Sequence, residues 1–198
     1  MMKKLLALVM VFGLCAFVAA CGDGGKAAAE AAVGAAQSSF DVVKAEASTY
    51  VPDQAKTVQD ALSAATDGLA KGNYAQVLAD APTLAPKVSA LAEAAAAKKA
   101  ELTKTWTDLS AGLPAVVRVI QSRVDMLSKS KKLPPSISAD AFTGAKSGLE
   151  TITKTWADAS DAFKSGNVMD AVAKAQAVKA KAAEVMTSLG MSVPDALR

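Results

Sequence analysis

Apolar positions along this chain step by three and four residues and do not alternate. Val33, Ala36, Phe40, Val43, Ala47 and Tyr50 form one stripe, and Val58, Leu62, Ala65 and Leu69 a second. A long one runs Leu84, Val88, Leu91, Ala95, Lys98, Leu102, Thr105, Leu109, with Trp106 at its edge. Val117, Ile120, Val124 and Leu127 make another, followed by Phe142, Ala145, Leu149, Ile152, Trp156, Ala159 and Phe163. Val168, Val172, Ala175, Val178, Ala182, Val185 and Leu189 complete the set. Such spacing gathers apolar side chains on one face of a helix and turns that face toward a core. Sustained alternation with β-branched enrichment is missing, so strands are not expected.

Turn chemistry divides the stripes. Val51-Pro52-Asp53, Gly72-Asn73, Gly112-Leu113-Pro114, the run Lys131-Lys132-Leu133-Pro134-Pro135 and Gly166-Asn167 all read as interruptions. Pro82 and Pro86 each remove a backbone donor, which breaks or kinks the third helix near its start. The spacing therefore predicts helices at 27–50, 53–71, 74–112 (kinked), 114–130, 139–165 and 168–189. Short connections favour antiparallel neighbours. The expected fold is all-α: one elongated antiparallel bundle of about five to six helices spanning 27–198.

A weak internal repeat lies within this pattern. Shifted by 94, Ala65, Asp67, Leu69, Gly72, Asn73, Leu78, Ala81, Leu84 and Lys87 align with Ala159, Asp161, Phe163, Gly166, Asn167, Val172, Ala175, Val178 and Lys181. Both copies describe a helical hairpin around a Gly-Asn turn, where Gly supplies a left-handed cap. The Lys71-Gly72-Asn73-Tyr74 turn resembles the intra-repeat turn of tetratricopeptide hairpins. The 34-residue period of that family is absent, so shared hairpin chemistry explains the likeness better.

The N-terminus follows a different logic. Met1-Met2-Lys3-Lys4 precedes an apolar stretch from Leu5 to Ala20, about 16 residues, short for a spanning helix, which needs around 20. It closes on Val18-Ala19-Ala20-Cys21, where small residues directly precede a Cys. This resembles the lipobox of bacterial lipoproteins. The resemblance covers residues 1–21 and implies a signal peptide at 1–20, diacylglycerol on the Cys21 sulfur, cleavage before it and acylation of the new amine. It implies a membrane anchor facing the periplasm, and the outer membrane over the inner, because Gly22 and not Asp follows the Cys. Cys15, inside the apolar segment, reads as a small hydrophobe. Residues 21–26, including Gly22-Asp23-Gly24-Gly25, read as a flexible tether.

Composition removes several functions. The apolar share of 52% overstates the bulk available for a core, because 45 residues are Ala. With no His, the His-ligated metal sites and His-based acid–base catalysis are excluded, and neither cofactor nor metal is expected. Two Cys, both at or before the lipobox, make no disulfide framework. Basic and acidic residues number 22 and 19, and the Lys clusters lack interleaved aromatics, so no nucleic-acid partner is expected.

Two tryptophans stand in matching settings, Lys104-Thr105-Trp106-Thr107-Asp108 and Lys154-Thr155-Trp156-Ala157-Asp158. Either they stack a ligand between helices, or they anchor packing in a core short of bulk; helical spacing favours the second. Asp158 and Asp161 share a helix face without a sugar cleft or a metal-ligand pattern around them. If successive helices alternate, Tyr50, Val51, Leu113 and Pro114 meet at the tip far from the tether, an apolar patch suited to a protein partner. The same alternation brings Gly72-Asn73 and the basic loop at Lys129–Lys132 toward the lipid. The expectation is a non-enzymatic, lipid-anchored envelope protein acting through protein contacts, in an adaptor, assembly or structural role. The alternative is a periplasmic binder of a small molecule or lipid beside Trp106 and Trp156.

Overall fold

The computed structural model describes residues 25–197. Among these residues six α-helices follow one another: α1 Lys26–Tyr50, α2 Pro52–Ala70, α3 Tyr74–Asp80, α4 Leu84–Lys129, α5 Ala139–Lys164 and α6 Val168–Ser188. Short 3-10 turns occupy Ala81–Thr83 and Asp195–Leu197. The described residues contain no strand, and the protein is an all-α helical bundle. Helix ends fall within about two residues of those the turn signals mark, except in two places.

The first exception is Gly112-Leu113-Pro114. The expected break does not occur, and α4 continues through Pro114 to Lys129. Proline there forfeits the bond from residue 114 to the Ser110 carbonyl and costs about 3 kcal/mol. Against this stand Leu113, Ile120, Val124 and Leu127, all buried on the same stripe. Each contributes roughly 1.5–3 kcal/mol of burial, so packing wins. The second exception is α3, which is a separate helix of seven residues ending where Pro82 enters a 3-10 turn. Pro86, expected to kink the chain, sits in the first turn of α4, where its missing donor has no intrahelical partner to lose.

Residues group into two compact units. Unit 1 contains 25–48 and 52–91: α1 up to Ser48, α2, α3 and the first two turns of α4. Its satellite core joins Ala29 and Val33 of α1 to Val77 of α3, with Ala65, Leu69, Tyr74 and Leu78 packed around them. Unit 2 contains Thr49–Val51 and 92–197, with the rest of α4, α5 and α6. Its core is larger, running from Trp106 and Ile120 through Ile152 to Val178 and Leu189. Small residues let helices approach there: a Cβ built on Gly148 of α5 would stand 2.5 Å from Val185 Cγ2 of α6. The Arg123 guanidinium also reaches from α4 to donate to the Leu189 carbonyl at 3.4 Å.

The repeat seen in the sequence has a backbone counterpart. Gly72 and Gly166 take φ of +77° and +86°, a region open to Gly without the usual Cβ penalty. Gly72 N–H donates to the Leu69 carbonyl (3.0 Å) and Asn73 N–H to that of Gly68 (2.9 Å). Gly166 and Asn167 repeat this with Phe163 (3.0 Å) and Ala162 (2.9 Å). Both are Schellman caps, closing carbonyls that the helix end leaves open. Burial also follows the shift of 94: Ala55, Val58, Val77, Leu84, Val88 and Leu91 are buried, as are Leu149, Ile152, Ala171, Val178, Ala182 and Val185.

Candidate functional site

The two tryptophans meet inside unit 2. Trp106, on α4, is 8% exposed, and its ring lies 5.5 Å from that of Trp156 on α5, with planes 6° apart. Phe163, which the sequence reading placed only in a stripe, lies 4.8 Å from Trp106 at 11°. Trp156 and Phe163 are seven residues apart, so their backbones are separated by about 10.5 Å along α5. Two successive rings of one α5 face thus reach the same Trp106 indole, each nearly parallel to it. Offset parallel stacking of this kind adds about 0.5–1.5 kcal/mol per pair beyond burial. The signal for Phe163 was its position two turns from Trp156 on the same face.

The polar residues flanking each indole do not build a binding wall. Lys104 and Asp108 pair with each other at 2.8 Å on the exposed side of α4. The hydrogen bond and charge of Asp108 hold the Lys104 ammonium above its ordinary pKa. Lys154 and Asp158 are exposed on α5. Lys154 instead lines an open groove of about 540 Å³ between α4 and α5, with Val124 and Leu149 at its base and Asp125, Lys146 and Glu150 around it. A second open groove, about 510 Å³, runs along the α2–α3 hairpin in unit 1, over Ala61, Ala65 and Gly68 with Asp67, Asp80 and Lys87 beside them. Neither groove is lined by Trp106 or Trp156.

The expected apolar tip is corrected. Leu113 is 2% exposed in the unit 2 core, and Pro114 is half-buried within α4; neither lies in a turn. Tyr50 is buried, with the Lys99 ammonium 5.8 Å over its ring, and Val51 is half-buried at the α1–α2 junction. Lys99 and Leu113 are separated by about 21 Å of helix, so Tyr50 and Leu113 do not share a patch. The cause is the unbroken α4: without a reversal at 112–114 the alternation that built the tip fails. Cys21 lies outside the described residues. No helix among the described residues is long and apolar enough to cross a membrane, and no cluster of potential metal ligands occurs among them.

Fold and site define a class: an all-α helical bundle whose aromatic centre is filled by its own rings. Comparison with family models, with curated proteins and with solved structures found no match for the chain.

Proposed function

We propose that this chain is a lipid-anchored envelope protein, held at a membrane through Cys21 and working through protein contacts in an adaptor, assembly or structural role. The observation that carries the reading is Val18-Ala19-Ala20-Cys21, placed after a basic start and an apolar stretch too short to span. The proposed location is the periplasmic face, at the outer membrane. Three acyl chains on a processed Cys anchor firmly, whereas one holds only weakly. The non-enzymatic side is supported by a sequence without His and by charged residues that pair locally along helices, as Lys56 does with Asp60 and Lys181 with Glu184.

The experiment is metabolic labelling with palmitate. The wild-type chain should take up label and stay with the membrane fraction, while Cys21→Ser should stay unlabelled and unprocessed. Equal labelling of the variant overturns the anchor. The competing reading, a ligand beside Trp106 and Trp156, is weakened by the burial of Trp106 and by its stacking on two rings of the chain itself. A saturable change in tryptophan fluorescence on adding extracted envelope lipids or metabolites would revive it.

A further inference from the structure

Gly25 marks where the tether meets the fold. Its φ is +86°, and a Cβ built on it would stand 2.8 Å from Leu78 Cδ1, so the chain enters unit 1 directly against α3. Leu78 lies five residues beyond Asn73, about 7.5 Å along the helix. The entry point and the Lys71-Gly72-Asn73-Tyr74 turn therefore belong to one end of unit 1. The tether is short. Gly25 is four steps along the chain from Cys21, and fully extended these span at most about 14 Å.

The turn at this end differs from its counterpart in the residues that suit a headgroup layer. Lys71 is exposed and makes no ion pair among the described residues, where the other copy has Ser165. Tyr74, half-buried against the small α1–α3 core, stands where the other copy has Val168. Tyr is enriched at membrane–water interfaces because its ring is apolar and its tip polar. The Asn73 side chain makes no cap bond, while the Asn167 Oδ1 accepts from the Asp170 N–H at 3.2 Å. One turn is left with a cation, an aromatic and a free amide; the other has spent its amide on its own helix.

We propose that the Lys71–Tyr74 turn of unit 1 rests on the phospholipid headgroups of the bilayer that carries the Cys21 acyl chains. The inference rests on the lipid-anchor reading above and adds which surface of the fold faces the membrane. The tether prevents this end from rising far, and Lys71, Asn73 and Tyr74 supply charge, hydrogen bonding and an interfacial ring for seating it. The partner is a lipid surface, and no protein is needed to hold the turn there.

The test uses the full chain in cells, with a photo-reactive benzophenone residue in place of Asn73 or, separately, of Gln54. Both positions are exposed in unit 1, and about 24 Å of α2 separates Gln54 from Ala70 beside the turn. A headgroup layer is only about 5–8 Å deep, so one probe should reach lipid and the other not, giving roughly tenfold more lipid adduct at 73. Equal adducts at both positions, the reverse ratio, or protein adducts in place of lipid at 73 overturn the proposal. Palmitate labelling of the same cells separates the two ideas. A labelled chain with no lipid preference at 73 sinks only the orientation, and an unlabelled chain sinks the anchor with it.

Discussion

The hairpins α2–α3 and α5–α6 share a turn and a burial pattern, yet one second helix has seven residues and the other 21. The difference traces to two positions. Pro82 and Pro86 stand where the longer copy has Gln176 and Ala180. Gln and Ala continue the hydrogen-bond ladder; proline cannot donate to it. The chain in unit 1 therefore passes through a 3-10 turn before resuming as α4, although Leu84, Val88 and Leu91 keep the same buried register as Val178, Ala182 and Val185. Turn chemistry fixes that a hairpin forms; donor supply fixes how long its return arm runs. Side-chain pairing at the start of that arm also differs in sign. Gln76 donates to Asp80 at 2.9 Å, while in the other copy Asp170 pairs with Lys174 four residues on.

The largest expected effect concerns what unit 2 has and the smaller core of unit 1 lacks. Trp106→Ala removes the ring that stacks on both Trp156 and Phe163 and should cost about 3–5 kcal/mol in denaturant unfolding. Trp156→Ala, at a half-buried site, should cost less. Both tryptophans lie in unit 2, so fluorescence of the remaining indole follows that unit. Equal losses from the two substitutions would contradict the central place of Trp106 in both ring contacts.

Close helix approach gives the next contrast. Gly148→Ala drives a Cβ into Val185, a buried β-branched side chain with little rotamer freedom. Overpacking of about 1–3 kcal/mol should exceed the roughly 1 kcal/mol of helix propensity gained. Gly68→Ala meets Val77 Cγ2 at 2.7 Å and should behave alike in unit 1. A raised thermal midpoint in either variant would mean that the helices separate freely.

Capping separates the turns themselves. Asn167→Ala should lose about 1 kcal/mol with its bond to the Asp170 N–H. Asn73→Ala, with no cap bond to lose, should change stability by a few tenths at most. Similar losses at both would remove the distinction drawn between them. The smallest effect is local: Pro82→Gln should extend amide-exchange protection from α3 through residues 81–83 with little change in stability. Unchanged exchange there would move the cause of the short arm elsewhere.

Most of this fold was legible because it rests on local signals. The stripe from Val33 to Tyr50, the Gly-Asn turns and the Lys131-Lys132-Leu133-Pro134-Pro135 break before α5 each act over a few residues. What was not legible depends on energies set by distant residues. Gly112-Leu113-Pro114 has the composition of a break, and only the burial of Leu113 and Ile120 in the unit 2 core keeps it helical. For the same reason Leu113 and Pro114 have the local signature of a surface tip and not of a core. The tryptophans stand out by their matching Lys-Thr-Trp settings, but stacking of Trp106 on Trp156 and Phe163 depends on the register of α4 against α5, which no local pattern encodes. Gly25 against Leu78 is likewise a contact between segments far apart in sequence.

Of the three places where the chain passes from one unit to the other, the last, Leu91–Ala92, lies inside α4. Proteases usually find domain boundaries because boundaries are loops, whose backbone can open into an extended substrate conformation. The Leu91–Ala92 peptide bond is instead engaged in a helical ladder, so a protease would not cut the chain there. It would meet the 130–138 connection first and cut within unit 2. The fragments released would then mark a loop, and reading them as domains would misplace the boundary by some forty residues.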